Sequence, residues 1–422
     1  MSPVGFLLLA AALAGLPLFV VIGASAALGY HSAGIDSQAL IIEFQRLAQM
    51  PVLQAIPLFT AAGYILGESQ APQRLVRLTQ AFLGWLPGGL AVVCIAACAF
   101  FTALTGASGV TIIALGALLY PALRSADYPS GYGLGLLTSA GSLGLLFAPS
   151  LPLILYGVVA QQLQVGPAFS IQDLFLAGVI PGLLMVLVLG LHAMWVCRNH
   201  PRPQFVRSEA WAALWASRWD LPLPLLLVGG IYSGAIAVSE AACLALFWVL
   251  LTEVVILREL RWHRLPAVLA ESMQLVGGIL LILGMSLAST NVLIDAGVPE
   301  QLFRWVQQRV DSPWTFLLLL NVFLLLLGML LDIFSAIVLM VPLLLPMAVA
   351  YDIHPVHLGI VFLANLQLGY FTPPVGMNLF IAAWRFNEPV LTVVRASLPF
   401  FALLALCVLL LTWWPQLSLI LL

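Results

Sequence analysis

Residues 133–160 read GLGLLTSAGSLGLLFAPSLPLILYGVVA, and residues 359–383 read GIVFLANLQLGYFTPPVGMNLFIAA. Each is an apolar run broken in its middle, the first by Pro149 and Pro152, the second by Pro373, Pro374 and Gly376. The two share a register: Pro149/Pro374, Gly144/Gly369, Asp127/Asp352 and Pro121/Pro346 are identical pairs, each separated by 225 positions. A broken helix in lipid exposes N–H and C=O groups that hydrocarbon cannot satisfy, so it persists only where protein or a wet cavity surrounds it. Paired breaks in corresponding halves of a chain point to the binding site of a secondary transporter.

Composition sets the class around these breaks. Of 422 residues, 63% are hydrophobic and 8% charged, and mean hydropathy is +1.10. These values describe a polytopic integral membrane protein with many runs of spanning length. The longest polar connection, residues 198–220, is too short to fold as a domain. The formal net charge of −2 argues against a nucleic-acid partner. All fifteen basic residues are Arg, which excludes a Walker A lysine and a Schiff-base lysine. The five cysteines lie in or at the ends of apolar runs, where reduced packing cysteines are the ordinary reading.

Residues 3–28 carry the cleavage-like Ala24-Ser25-Ala26 but no basic flank, and their apolar run is too long for a signal peptide, so they read as a retained first span. Further apolar blocks lie near 51–67, 88–105, 133–160, 174–197, 221–239, 240–257, 272–294, 313–331, 359–383 and 396–421. The short stretches 107–123 and 333–350 precede the broken spans and hold proline late, which fits re-entrant hairpins at about 106–125 and 332–350. Arg198, Arg202, Arg207 and Arg218 cluster in one connection and Arg258, Arg261 and Arg264 in another, both assigned to the cytoplasm. Pro72/Pro299, Leu75/Leu302 and Arg77/Arg304 match at an offset of 227. The stretches around them, 70–82 and 298–309, read as amphipathic arms at the membrane surface or as ordinary loops. The tryptophans near span ends, Trp85, Trp211, Trp215, Trp413 and Trp414, read as interfacial anchors. The expected architecture is all-α and polytopic, with two inverted-topology repeats, 1–218 and 219–422, each holding scaffold spans, an arm, a hairpin and a broken helix.

At this point the chain resembles the large membrane subunit of the tripartite ATP-independent periplasmic (TRAP) transporters, nearly end to end. The resemblance is carried by Ile56-Pro57-Leu58-Phe59 with Ala62-Gly63, Leu86-Pro87-Gly88-Gly89, Thr105-Gly106-Ala107-Ser108-Gly109, and Ala140-Gly141-Ser142-Leu143-Gly144 leading to Ala148-Pro149-Ser150. It continues through Ala177-Gly178-Val179-Ile180-Pro181-Gly182, Gly230-Ile231-Tyr232-Ser233-Gly234, Ser239-Glu240-Ala241-Ala242, Gly328-Met329-Leu330-Leu331-Asp332 and Thr372-Pro373-Pro374-Val375-Gly376-Met377-Asn378. Ala148 stands where the family commonly has a second proline. The resemblance implies a sodium-coupled elevator transporter of the bacterial inner membrane. Such a protein takes an organic acid from a periplasmic solute-binding protein and works with a small second membrane subunit. No organic cofactor is implied, Na⁺ being the coupling ion.

Half-helix N-termini suit a carboxylate and unwound carbonyls suit Na⁺, so the resemblance and the breaks together imply two pseudo-symmetric sodium sites. In the second repeat the ligands are expected near Gly328, Gly369, Thr372 and Val375. In the first they are expected near Ala103, Gly144, Phe147 and Ser150, with Thr105 and Ser108 at the hairpin tip. Substrate is expected between the tips, near Gly106, Ala107, Ser108 and Gly109 on one side and Asp332 and Ser335 on the other, within reach of Asn378. The competing reading of these glycines and prolines is tight helix packing alone.

Other polar groups leave alternatives open. Glu240 is either a functional carboxylate at depth or a helix cap, and Asp332 is site architecture, a cap or a sodium ligand. His354 and His357 flank Pro355 and read as loop or capping residues. Gly106-Ala107-Ser108-Gly109 with His192 matches the short wording of an intramembrane serine protease, in whose mechanism the duplication has no place. A proton antiporter or channel of similar repeat architecture is the second rival, although the broken segments carry no carboxylate.

Overall fold

The computed structural model describes residues 10, 15–36, 38–48, 50–198, 204–310 and 312–422. Part of the expected first span, and Arg202, lie outside the described residues. In chain order the helices are α1 (Leu18–Ser32), α2 (Gln38–Ala48), α3 (Ala55–Glu68), α4 (Ala71–Leu83), α5 (Gly89–Thr105), α6 (Ser108–Ser125), α7 (Ser130–Ala140), α8 (Leu151–Gln162) and α9 (Ile171–Val196). They continue as α10 (Arg207–Ala216), α11 (Pro222–Tyr232), α12 (Val238–Val249, prolonged by a π-helical segment Leu250–Ile256) and α13 (Leu265–Asp295). The last group is α14 (Val298–Gln307), α15 (Pro313–Leu330), α16 (Ile333–Ala350), α17 (Pro355–Gly369), α18 (Met377–Phe386), α19 (Val390–Trp413) and α20 (Gln416–Leu419). Two of these, α2 and α10, occupy stretches in which composition suggested only connections.

Among the described residues, seven helices are long and apolar enough to cross a membrane, and the α7/α8 pair adds a broken span bent by 44°. Helices end where the sequence supplies stops. Ser170 and Asp173 form a reciprocal capping box at the start of α9, and Gly106 ends α5 with φ 67.

The repeat is visible in the helix bounds. Moving α6 by 225 positions gives Ile333–Ala350, the bounds of α16, and the same shift carries the start of α7 to the start of α17. Asp127 and Asp352 both turn the chain after their hairpins with φ 59, and the cis peptide bonds Ala148–Pro149 and Pro373–Pro374 keep the register. Packing is reciprocal: α6 lies on α18 as α16 lies on α8, and α7 lies on α19 as α9 lies on α17. Contacts that survive exchange of the two units belong to a two-fold arrangement. Between arm α4 and arm α14 lie the broken span, α9, α12 and α13, which are long enough to cross, and the shorter apolar α11, which counted as a pass makes the number odd. The units are therefore inverted, with their axis in the membrane plane.

Two residues, Gly106 and Ala107, join α5 to α6, and two, Leu331 and Asp332, join α15 to α16. Each pair is a tight hairpin. Gly144, mid-way along the broken span, packs against Ala103, three positions before Gly106 at the first tip. The tip thus lies at the depth of the break, which makes the hairpin re-entrant. Hairpins, broken spans, α9 and α19 interlock, whereas α1, α2, α3, α12 and α13 pack among themselves. The two groups meet where α3 touches α5, α6 and α8 and where α13 touches α16. At the first seam a Cβ added to Gly63 would stand 2.7 Å from the Thr105 Cα, so only glycine permits the approach.

Candidate functional site

Break one follows α7 as a single 3₁₀ turn, Leu143–Leu146, then extended backbone through Phe147 to Ser150. Ser150 caps α8 by accepting the Leu153 N–H. The Phe147 ring faces Gly182 on α9. Break two follows α17. The Thr372 hydroxyl donates to the Leu368 carbonyl at 2.8 Å, leaving its lone pairs free, and Gly376, with φ 45, starts α18. The Gly376 N–H donates to the Met329 carbonyl at 3.1 Å, which stitches the break to the second hairpin, and the Asn378 N–H donates to the Tyr370 carbonyl at 2.8 Å across the break itself.

Of the expected sodium residues, Ala103 with Gly144 and Gly328 with Gly369 come together as two equivalent pairs. A Cβ on Gly144 would lie 2.3 Å from both the Ala103 N and the Ala99 O, and one on Gly369 would lie 2.6 Å from the Gly328 Cα. Each glycine lets a broken span touch the last turn of its hairpin, where uncapped carbonyls accumulate. Thr105, at the first tip, is 2% exposed. Its hydroxyl oxygen is buried and, among the described residues, has no hydrogen-bond partner. Its neighbour Thr102 instead donates to the Gly141 carbonyl at 2.8 Å and meets Thr111 at 2.7 Å, tying the hairpin to break one. The environments of the breaks differ. Ala148 and Ser150 are buried, whereas Val375 is 43% exposed and Pro373 and Pro374 are exposed beside it.

The expected substrate residues form two pairs. The Ser108 hydroxyl donates to the Asn378 side-chain oxygen at 2.9 Å, joining the first tip to the second broken span. Asp332 caps α16, accepting the N–H groups of Phe334 and Ser335 and the Ser335 hydroxyl. Among the described residues no hydrogen bond joins one pair to the other. The two tips therefore differ in what they offer. At α16 the first donors are used by Asp332 and by the Tyr370 hydroxyl, which accepts the Ile333 N–H at 2.8 Å. At α6 Ala107 supplies no side-chain cap, so the N–H groups of Ser108, Gly109 and Val110 begin a helix whose positive end is uncapped. Gly106 packs its Cα on Leu151, bringing that end against α8.

Glu240 accepts the Ala237 N–H at 2.8 Å as an exposed cap. His354 caps α17 by accepting the Val356 N–H, and His357 meets the Ser418 hydroxyl at 2.6 Å. Ser108 and His192 do not form a nucleophile–base pair, since Ser108 is bonded to Asn378 and the His192 ring lies between Tyr132 and Phe400. Residues not anticipated are Tyr370 and Arg385, whose Nε donates to the Ile113 carbonyl at 3.0 Å. The signal for Tyr370 was its place one residue after the conserved-register Gly369.

Residues 2–417 match the family described as "Tripartite ATP-independent periplasmic transporter, DctM component". The chain is 32% identical, over 94% of its length and 92% of the relative, to the C4-dicarboxylate TRAP transporter large permease protein DctM of Pseudomonas aeruginosa. It is 32% identical to the isethionate TRAP transporter permease protein DctMQ of Oleidesulfovibrio alaskensis, over 95% of the chain and 63% of that relative. Among solved structures, the YdaH transporter of Alcanivorax borkumensis aligns with a TM-score of 0.63 at 15% identity, covering 89% of this chain and 87% of that one, a likeness of fold. The chain is a multi-pass transporter permease, not an enzyme, and belongs to the tripartite ATP-independent periplasmic transporter family as its large membrane subunit, the DctM component.

Proposed function

We propose that this chain carries a small organic anion across the bacterial inner membrane, driven by Na⁺ and by an elevator motion. In this reading hairpins, broken spans, α9 and α19 form the moving body, and α1 to α3 with α11 to α13 form the scaffold. Residues 1–218 and 219–422 are the two repeats. A periplasmic binding protein delivers the solute, and a small membrane subunit enlarges the scaffold. The relatives are named for a C4-dicarboxylate and for isethionate, both small organic anions.

The observation that carries the reading is the duplicated contact between hairpin end and break, Ala103 with Gly144 and Gly328 with Gly369. It gathers backbone oxygens of two unwound segments without a charged side chain, the kind of site that holds a hard monovalent cation. Thr105, its hydroxyl buried without a partner, supplies one oxygen to the first site, and Thr372 supplies one to the second. The anion sits at the uncapped N-terminus of α6, where Ser108 and Asn378 can each turn a polar group toward it.

Reconstituted with both partners, the protein is expected to take up substrate with an inward Na⁺ gradient and no nucleotide. Uptake driven by a proton gradient in sodium-free buffer would instead favour the proton-coupled reading. Thr105→Val keeps the shape and removes the oxygen. The half-saturating Na⁺ concentration is expected to rise about tenfold or more, the worth of one bond to a charged group, while Thr105→Ser stays near wild type. An unchanged sodium dependence in Thr105→Val removes that residue from the site.

A further inference from the structure

We propose that Ser286, on α13, is a positioning residue that latches the second hairpin to the scaffold through a main-chain carbonyl that a proline leaves short of a donor. The inference rests on the sliding-carrier reading above. In a helix the carbonyl of Val338 would accept the N–H four residues on, but that residue is Pro342, which has none. In hydrocarbon an unserved carbonyl is costly. The donor comes from across the seam: the Ser286 hydroxyl, 4% exposed, donates to the Val338 carbonyl at 2.9 Å.

The equivalent place in the first hairpin sharpens the point. Val338 corresponds to Ile113 by the 225-residue shift, and Pro342 to Ala117, which has an ordinary N–H. The Ile113 carbonyl also takes a side-chain donor, but from Arg385 on α18, inside the moving body. A rigid movement of that body leaves the Arg385 bond intact and must break the Ser286 bond. The two hairpin seams are therefore unequal: α3 meets the first hairpin at Gly63, whereas α13 meets the second through a hydrogen bond; elsewhere the Tyr232 hydroxyl of α11 donates to the Phe175 carbonyl of α9 at 3.3 Å. Beside the latch lies a cavity of about 90 Å³ lined by Pro342, Thr290, Asn291 and Gln162 among others. The buried side-chain oxygen of Gln162 has no partner among the described residues. Such a polar cavity has room for water able to serve Val338 once Ser286 has moved away.

The test uses the full transporter, freed of its native cysteines, with spin labels at two exposed positions, Leu281 on α13 and Phe380 on α18. Distance distributions read the ratio of the state described here to its alternative. Ser286→Ala is expected to move that ratio about fivefold away from the present state, the factor that one net hydrogen bond supplies, and Ser286→Thr to restore it. Pro342→Ala returns an N–H to the helix, so in that background Ser286→Ala should have a much smaller effect. An unchanged ratio in Ser286→Ala, or an equal effect with and without Pro342, overturns the latch. Ser286→Gly, which also lacks the donor and adds no thiol for the label to modify, serves in the same cycle if the alanine variant does not assemble. A single distance that ignores Na⁺ and substrate in the unmodified background counts against the sliding carrier itself, a result distinct from loss of the latch.

Discussion

Gly144→Ala and Gly369→Ala are each expected to abolish uptake and to reduce sharply the yield of folded transporter. A methyl group on Gly144 would stand 2.3 Å from two main-chain atoms of α5, and one on Gly369 would stand 2.6 Å from two main-chain atoms of Gly328. Main chain cannot rotate away as a side chain can, so the break and the hairpin must separate. Overpacking of a tight core costs on the order of 1–3 kcal/mol where side chains can yield, and here backbone must move. Gly190 and Gly277, which have no neighbour within 4 Å of an added methyl, are the controls. Alanine there should be neutral or stabilising by up to about 1 kcal/mol, since alanine is the better helix former. The measurement is yield of monodisperse protein with uptake per assembled transporter. Equal behaviour of all four variants would show that the breaks are not held by backbone contact.

The residues of that contact are legible in the sequence because their spacing is written as arithmetic. Gly144 and Gly369 occur in one register with the prolines, and a repeat of this kind needs no knowledge of partners distant in sequence. The sequence also placed Ser108 and Asn378 in one candidate set, but not their bond, since they lie 270 residues apart. The difference between the tips was hidden for the same reason. Asp332 was visible as a cap, yet only folding sets Tyr370 over the Ile333 N–H and leaves α6 bare. Helices α2 and α10 carry no spanning signal in the sequence, because 11 and 10 residues are too short to cross a bilayer. Glu253 carries a signal of another kind: a carboxylate inside the apolar run 240–257 is costly unless something pairs with it.

Arg74 is what pairs with it, and Arg74→Gln is expected to destabilise the transporter by about 3–5 kcal/mol, the cost of leaving a buried carboxylate without its partner. Pro72, Leu75 and Arg77 mark the arm α4 through their matches Pro299, Leu302 and Arg304, yet Arg77 meets Glu209 with both side chains about half exposed. Arg74 is the anchor. It reaches Asp220 at 2.5 Å and Glu253 at 3.0 Å, and it also pairs with Glu259. Arg74 is 12% exposed and Glu253 fully buried. The Gln70 N–H adds a bond to Glu259, and Ser217 donates to the Arg74 carbonyl. Burial works against the charge on Arg74, but the three carboxylates outweigh it and hold the guanidinium above its ordinary pKa. A raised pKa contributes stability that is fully present below the unfolded value, so Arg74 stays charged and the anchor holds across any workable alkaline pH. The second arm has Gln301 at the position equivalent to Arg74, so it lacks this charge. Among the described residues, only the first arm is tied by such an ion-pair cluster to α12 and the connections beside it. Thermal unfolding in detergent measures the effect. Arg74→Lys should fall between wild type and Arg74→Gln, because an ammonium cannot fork among three carboxylates as a guanidinium does. Gln301→Ala should be near neutral. An Arg74→Gln protein as stable as wild type would mean that Glu253 is protonated or hydrated without its partner, and that the arm is held by Leu75 and its apolar neighbours alone.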